Sequence, residues 1–227
     1  MFFDTNSINS LEPRKRALFI NSLTGFKSAN LIATCDENRI TNLAIMSSVF
    51  HLGSMPPLLG MLIRPHSVPR HTLENILKTK YYTINHVHNG IFQQAHQTSA
   101  RYPQDTSEFA EVGLTELWQD NFPSPYVKES LIRLGMHMRE HHFLGINSTD
   151  LLIGEIIQVE IPDNILCNDG YINIEKAGTV GVSSLDTYHS TCVLQHMAYA
   201  KPFKSSASIK RTSAITSNDW AEDTSCS

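Results

Sequence analysis

Cysteine is scarce in this 227-residue sequence, and Cys35, Cys167, Cys192 and Cys226 show no paired spacing of the kind a zinc ribbon or a redox dithiol needs. Free thiols in a reducing compartment fit this usage best. Long apolar runs are also missing. The best candidate, Pro57 to Ile63, has the length of a core strand and falls well short of the ~18 residues of a membrane span. The opening residues, Met1-Phe2-Phe3-Asp4-Thr5-Asn6-Ser7, lack the basic start and apolar stretch of a secretory signal, so a cytoplasmic location is expected. Basic charge is sparse as well: 18 Lys and Arg stand against 22 Asp and Glu, a formal net charge of −4. The basic knot Arg14-Lys15-Arg16 reads as a solvated helix face. Such a balance offers no footprint for duplex nucleic acid and none for an anionic membrane.

What the chain does have is enough apolar content, 41%, to bury a sizeable core. Period-two alternation dominates it. From Ile132 to Arg139, Ile132, Leu134, Met136 and Met138 fall on one face and Arg133, Gly135, His137 and Arg139 on the other, the pattern of a half-buried strand. A second long strand is expected from Leu151 to Ile161, with Ile153, Ile157, Val159 and Ile161 sharing a face and Pro162-Asp163 ending it. Shorter strands are expected over Ala29–Cys35, Asn42–Ser48, Leu58–Ile63 and Tyr82–Val87, with Asp36-Glu37-Asn38-Arg39 as a hairpin turn. Helical spacing and capping chemistry mark Thr72–Lys80, Gly90–Ser99 and a stretch from Leu11 to Leu23. There is no internal repeat and no linker. The reading is one mostly β domain over residues 1–203, a barrel with a few short covering helices, since many short strands need closure to hide their edges. Residues 204–227, rich in Ser, Thr, Lys and Asp, read as a mobile polar tail.

The chemistry-bearing residues are compressed into one region. A strand with small and hydroxylated side chains starts at Asn42 and ends at Ser47-Ser48, where backbone and hydroxyl groups can approach a flat polar ligand. After the next strand come Arg64, Arg70, His71 and Thr72, leading into a helix N-terminus. Unpaired N–H groups and the positive end of the helix dipole favour a phosphate there, and two arginines add paired donors. The combination reads as a ring-binding strand beside a phosphate-binding loop.

The order of these pieces resembles the flavin reductase-like family of FMN-binding split-barrel proteins. The pieces are Asn42-Leu43-Ala44, Ser47-Ser48, Pro56-Pro57, Arg64-Pro65, His71-Thr72 and Asn75-Ile76, followed by Tyr82-Thr83-Ile84-Asn85, Glu108-Phe109 with Gly113-Leu114, Tyr126-Val127 with Glu129-Ser130, and Ile153-Gly154-Glu155. Leu185-Asp186-Thr187-Tyr188 and Tyr199-Ala200-Lys201-Pro202 close the series, so the likeness runs from about Arg14 to Pro202. One departure is Ser184, where the family often has Gly before Leu-Asp-x-Tyr.

This resemblance implies a mostly β, FMN-binding split β-barrel of Greek-key type, acting as a homodimer, with FMN held non-covalently. Asn42, Ser47 and Ser48 would face the isoalloxazine and ribityl groups. Arg64, Arg70, His71 and Thr72 would gather at the phosphate, and Asn85 would be a further contact. The implied activity is that of a flavin reductase-type oxidoreductase: hydride from NADH or NADPH reaches flavin N5, and electrons pass on to flavin or a small-molecule acceptor. The alternative is an FMN-binding protein without turnover, such as a flavin store, an electron carrier or a redox sensor. No side-chain acid, base or nucleophile is required, so no catalytic residue is named.

Other motifs give weaker readings. His137 and His141 would chelate a metal on a helix, but on a strand they stand ~13 Å apart, so no metal site is expected. Gly181-Val182-Ser183-Ser184-Leu185 lacks the closing glycine of a nucleophile elbow. Met46, Met61, Met136 and Met138 read as core, Met55 could touch a ring, and His51 reads as a loop histidine.

Overall fold

The computed structural model describes residues 1–65, 71–103 and 105–212. The chain opens with two helices, α1 (Thr5–Ser10) and α2 (Pro13–Ser22). Strands β1 (Lys27–Ser28), β2 (Asn30–Cys35), β3 (Thr41–Met46), β4 (Val49–Ser54) and β5 (Pro57–Ile63) follow, then α3 (His71–Thr79) and β6 (Tyr81–His86). Next come α4 (Phe92–Gln97), α5 (Glu108–Val112), β7 (Glu116–Leu117), β8 (Tyr126–Val127), the long pair β9 (Arg133–Leu144) and β10 (Thr149–Glu160), and finally β11 (Val180–Ser183) and β12 (Thr187–Ser190). Among the described residues, no helix is long and apolar enough to cross a membrane.

Seven strands form one antiparallel sheet in the order β3-β2-β6-β9-β10-β5-β4. The β2–β3 hairpin closes one side and the β4–β5 hairpin the other. Asp36 shapes the first turn, as expected: its Oδ1 accepts from the Asn38 and Ile40 N–H groups at 2.9 and 2.8 Å. The sheet curls around one of the buried clusters. Ile32, Met61, Ile84, Met136 and Leu152 come from five strands into one buried cluster, and Met46 at one edge and Val49 at the other pack against it. Leu73 and Ile76 of α3 enter the same cluster. Outside the barrel wall, Leu31 and Leu43 pack with Ala95, Phe109, Val112 and Val182.

Edge strand β3 is covered by side chains. The Leu43 N–H donates to Glu108 Oε2 at 2.9 Å and the Ile45 N–H to Thr98 Oγ1 at 2.9 Å, so β3 presents no open ladder to a stranger at these positions. Burial raises the Glu108 carboxyl above its ordinary range, while the Leu43 N–H and His71 pull it back down.

On β9 the expected face is the buried one. On β10 it is not: Leu152 and Ile156 face the core, while Ile157 and Val159 are exposed. The pairing of β10 with β9 shifts register between Ile153 and Gly154 and between Ile156 and Gln158. Gly154 itself faces inward, and a Cβ there would collide with the Tyr82 hydroxyl.

The segment read as a mobile tail is hydrogen-bonded as far as it is described: Ala198 N–H donates to Ala207 O, and Asn168 N–H to Thr212 O. Residues 213–227 lie outside the described residues.

Candidate functional site

β3 carries the two ends of the candidate site. Asn42 and Ser47 are five positions apart along extended chain, about 17 Å. At the Asn42 end, α3 docks against the strand. The Asn42 Nδ2 donates to Thr72 Oγ1 at 2.9 Å, and Asn75 Nδ2 donates to Thr34 Oγ1 at 3.1 Å, all four residues being buried. A cleft of about 220 Å³ opens beside them, lined by Asp36, Asn42, His71, Asn75 and Asp105. Two carboxylates on that lining make it a poor place for an anion.

At the other end three segments meet. Ser48 Oγ donates to Leu62 O at 2.6 Å, and the Leu62 N–H returns to Ser48 O at 3.3 Å, tying the end of β3 to β5. Ser28 Oγ donates to Val49 O at 3.3 Å, bringing β1 alongside. Arg64, exposed just past the end of β5, therefore stands near Lys27. The Lys27 amine is drawn below its ordinary range, first by burial and then by the Arg64 charge. Its Nζ donates to Ser184 O at 2.6 Å and to Asn21 O at 3.3 Å.

Ser184 sits at φ +53, left-handed backbone. That explains why a Gly is favoured in this position, and why Ser184 is a strained exception.

The predicted residues thus separate into two groups. Asn42, His71 and Thr72 come together at one end; Ser47, Ser48 and Arg64 come together at the other. Thr72 is less available than expected, because it is buried and takes the Asn42 amide. Asn85 is not brought to either end. Its carboxamide is fully buried, donates to Leu31 O and Thr83 Oγ1, and accepts from the Val127 N–H at 3.0 Å, so it braces β2, β6 and β8 together. Arg70 lies outside the described residues. Lys27 escapes the sequence reading because it belongs to no motif and precedes the first long strand.

The histidines of β9 have other partners. His137 stacks on Tyr81 with ring centroids 4.7 Å apart, and His141 Nε2 lies 2.7 Å from Asp150 Oδ1. Among the described residues no group of three potential ligands could hold a metal ion. Ser183 Oγ reaches His189 Nε2 at 2.7 Å, but it lies on β11 at a strand-to-strand turn and not at the strand-to-helix turn a nucleophile elbow needs.

Comparison with known proteins places these elements in a wider setting. Residues 23–174 match the model of the flavin reductase like domain. The crystal structure of a candidate flavin reductase with split barrel domain from Shewanella frigidimarina NCIMB 400 is 52% identical, covers 88% of this chain and all of that one, and superposes with a TM-score of 0.86. Nitrilotriacetate monooxygenase component B from Bacillus cereus shares the fold at 17% identity, with 85% and 96% of the two chains covered and a TM-score of 0.76. An FMN-binding protein from Thermus thermophilus shares it at 16% identity over 72% and 85% of the chains, with a TM-score of 0.59. The mostly β sheet described above is a split barrel of this kind.

Proposed function

The chain belongs to the flavin reductase-like family, and on that premise we propose that it is an oxidoreductase that binds FMN non-covalently, takes reducing equivalents from NADH or NADPH and delivers them to a small acceptor or to flavin. One observation supports this more than any other: the strand carrying Lys27 is tied through Ser28 to Val49, and Ser48 to Leu62 two residues before Arg64, so that the Arg64 charge is felt at Lys27 near the end of the strand whose residues resemble the family's flavin contacts.

The donor set fits a phosphate. Burial first and the Arg64 charge second lower the Lys27 pKa; an anion between the two would offset the Arg64 contribution, and both side chains offer N–H donors to it. The Ser47 and Ser48 backbone and hydroxyls would orient the polar chain leading away from that phosphate, and Asn42 would close the far end of the strand. The Asn42–Thr72 bond holds that carboxamide in place. The cleft by His71 is the less suitable phosphate site, because Asp36 and Asp105 line it. When bound, the flavin would supply the two-electron exchange between nicotinamide and acceptor, and the protein would supply binding and orientation.

The test is anaerobic stopped-flow mixing of the FMN-loaded protein with NADH and, separately, NADPH, followed at the flavin absorbance. Rapid bleaching by at least one nucleotide is expected. Tight FMN binding with no bleaching by either would overturn the reductase reading and leave a flavin store or carrier.

A further inference from the structure

We infer that the cleft between the β2–β3 turn and the first turn of α3 is a binding site for a small organic cation, a molecule with a protonated amine or amidine on a short apolar body. Its lining is built from oxygen acceptors. Asp36, Asn42, Asn75 and Asp105 border it with Ile40 and His71, and among the described residues no Lys or Arg does.

The two asparagines are the observation that points to a ligand. They are only 8% and 9% exposed, and each directs its amide nitrogen at a threonine: Asn42 Nδ2 at Thr72 Oγ1, 2.9 Å away, and Asn75 Nδ2 at Thr34 Oγ1, 3.1 Å away. Those bonds fix both carboxamides and leave the oxygens over. No described residue donates to either Oδ1, yet neither oxygen is among the partnerless polar atoms sealed off from solvent. The open side of each is the cleft they line. Acceptors fixed in direction before a guest arrives favour one that brings N–H donors.

The carboxylates set the sign of the charge. Asp36 is held by the Asn38 and Ile40 N–H groups, and Asp105 Oδ1 accepts from Thr106 Oγ1 at 3.4 Å. Neither forms an ion pair with a described residue. Arg39, the cation nearest Asp36 in the chain, lies instead over the Trp118 ring, 4.1 Å from its centroid. Even with His71 protonated the lining is net negative, and it outweighs the charge of roughly +0.5 at the end of a helix.

An ammonium or amidinium supplies both the positive charge and several N–H donors. A metal ion suits the cleft less, because among the described residues no three potential ligands converge to hold one. Size narrows the class further. The volume of about 220 Å³ is that of roughly seven waters, room for a one-ring amine and too little for a dinucleotide. Because the cleft opens at the Asn42 end of β3, its occupant would lie beside the flavin that the proposed function seats along that strand, and a cationic molecule is then the class of small acceptor to expect. That role rests on the proposed function; the site itself does not.

Ligand-observed NMR titration of the full chain tests it, using benzylamine, its neutral counterpart benzyl alcohol and the anion benzoate, with and without FMN. Benzylamine should bind on the order of tenfold more tightly than the other two. Asp105→Asn, a change of charge at an exposed side chain, should weaken it about fivefold. The FMN-loaded protein should bind it as well. Equal affinities for benzylamine and benzoate, no binding of benzylamine, or an unchanged affinity in Asp105→Asn would overturn the site. Exclusion of benzylamine by bound FMN would overturn the acceptor role, whereas failure of FMN itself to bind shows separately in the flavin absorbance and leaves the benzylamine result standing.

Discussion

Burial makes a cation easier to deprotonate, and Lys27 bears the mark of it: burial first and the Arg64 charge second depress its pKa. His86 shows burial acting alone. Its Nδ1 is enclosed without a hydrogen-bond partner, and burial pushes the imidazole from 6.5 to about 4. The folded state therefore binds the proton more weakly than the unfolded chain does. The resulting stability is fully present above about 6.5 and is lost as pH falls through the window down to about 4, by up to ~3 kcal/mol. Urea unfolding at pH 7.5 and pH 4.5 checks this: wild type should lose more stability between the two than His86→Phe, and equal losses would contradict it. At this scale the sequence was only partly legible. Motif order compresses the candidate residues into one region but assigns Asn42 to the ring with Ser47-Ser48 and His71 to the phosphate, whereas the structure sets Asn42 against Thr72 and beside His71. Asn85 could not be read correctly, because nothing local tells a buried brace from a ligand contact, and Lys27 gains its meaning only when β1 is laid against the end of β5.

Alternation revealed most of the long strands, because one barrel wall must be apolar toward the core and tolerant toward the outside. It failed on β10, where Ile157 and Val159 face outward and a glycine, not an aliphatic residue, sits under Tyr82. The helices α1 and α5, six and five residues long, are too short to show a period of 3.6. Helix α3 was legible from its apolar spacing, and its end shows how such an element stops. Lys80 follows it at φ +68 and donates its N–H to Ile76 O at 2.9 Å, a left-handed cap occupied by a side chain that disfavours that geometry. Lys80→Gly should therefore stabilise the protein by roughly 0.5–1 kcal/mol. Thermal unfolding would register a higher midpoint, and an unchanged or lower one would count against this account of the cap.

For the molecule as a whole, the seven-stranded sheet places β3 and β4, adjacent in sequence, at its two edges, and the short step between them carries Ser47-Ser48. The connection that leaves the barrel open is thus the one that holds the hydroxyls, with β5 delivering Arg64 and β1 delivering Lys27 to it. A mildly acidic chain gains from this arrangement: an anionic cofactor is attracted only where cations are gathered, and the seam gathers two. The overall architecture was legible because strand lengths, turn residues and motif order agreed. The division of the candidate site into a cationic end and an acid-lined end was not, since it depends on which strands become neighbours. The decisive measurement is a fluorescence titration of the protein with FMN and with riboflavin, repeated on Arg64→Ala. FMN should bind more tightly than riboflavin, and Arg64→Ala should weaken FMN by about 1.5–3 kcal/mol while leaving riboflavin nearly unaffected. Equal dissociation constants for FMN and riboflavin in the wild-type protein would contradict the assignment of Lys27 and Arg64 to a phosphate.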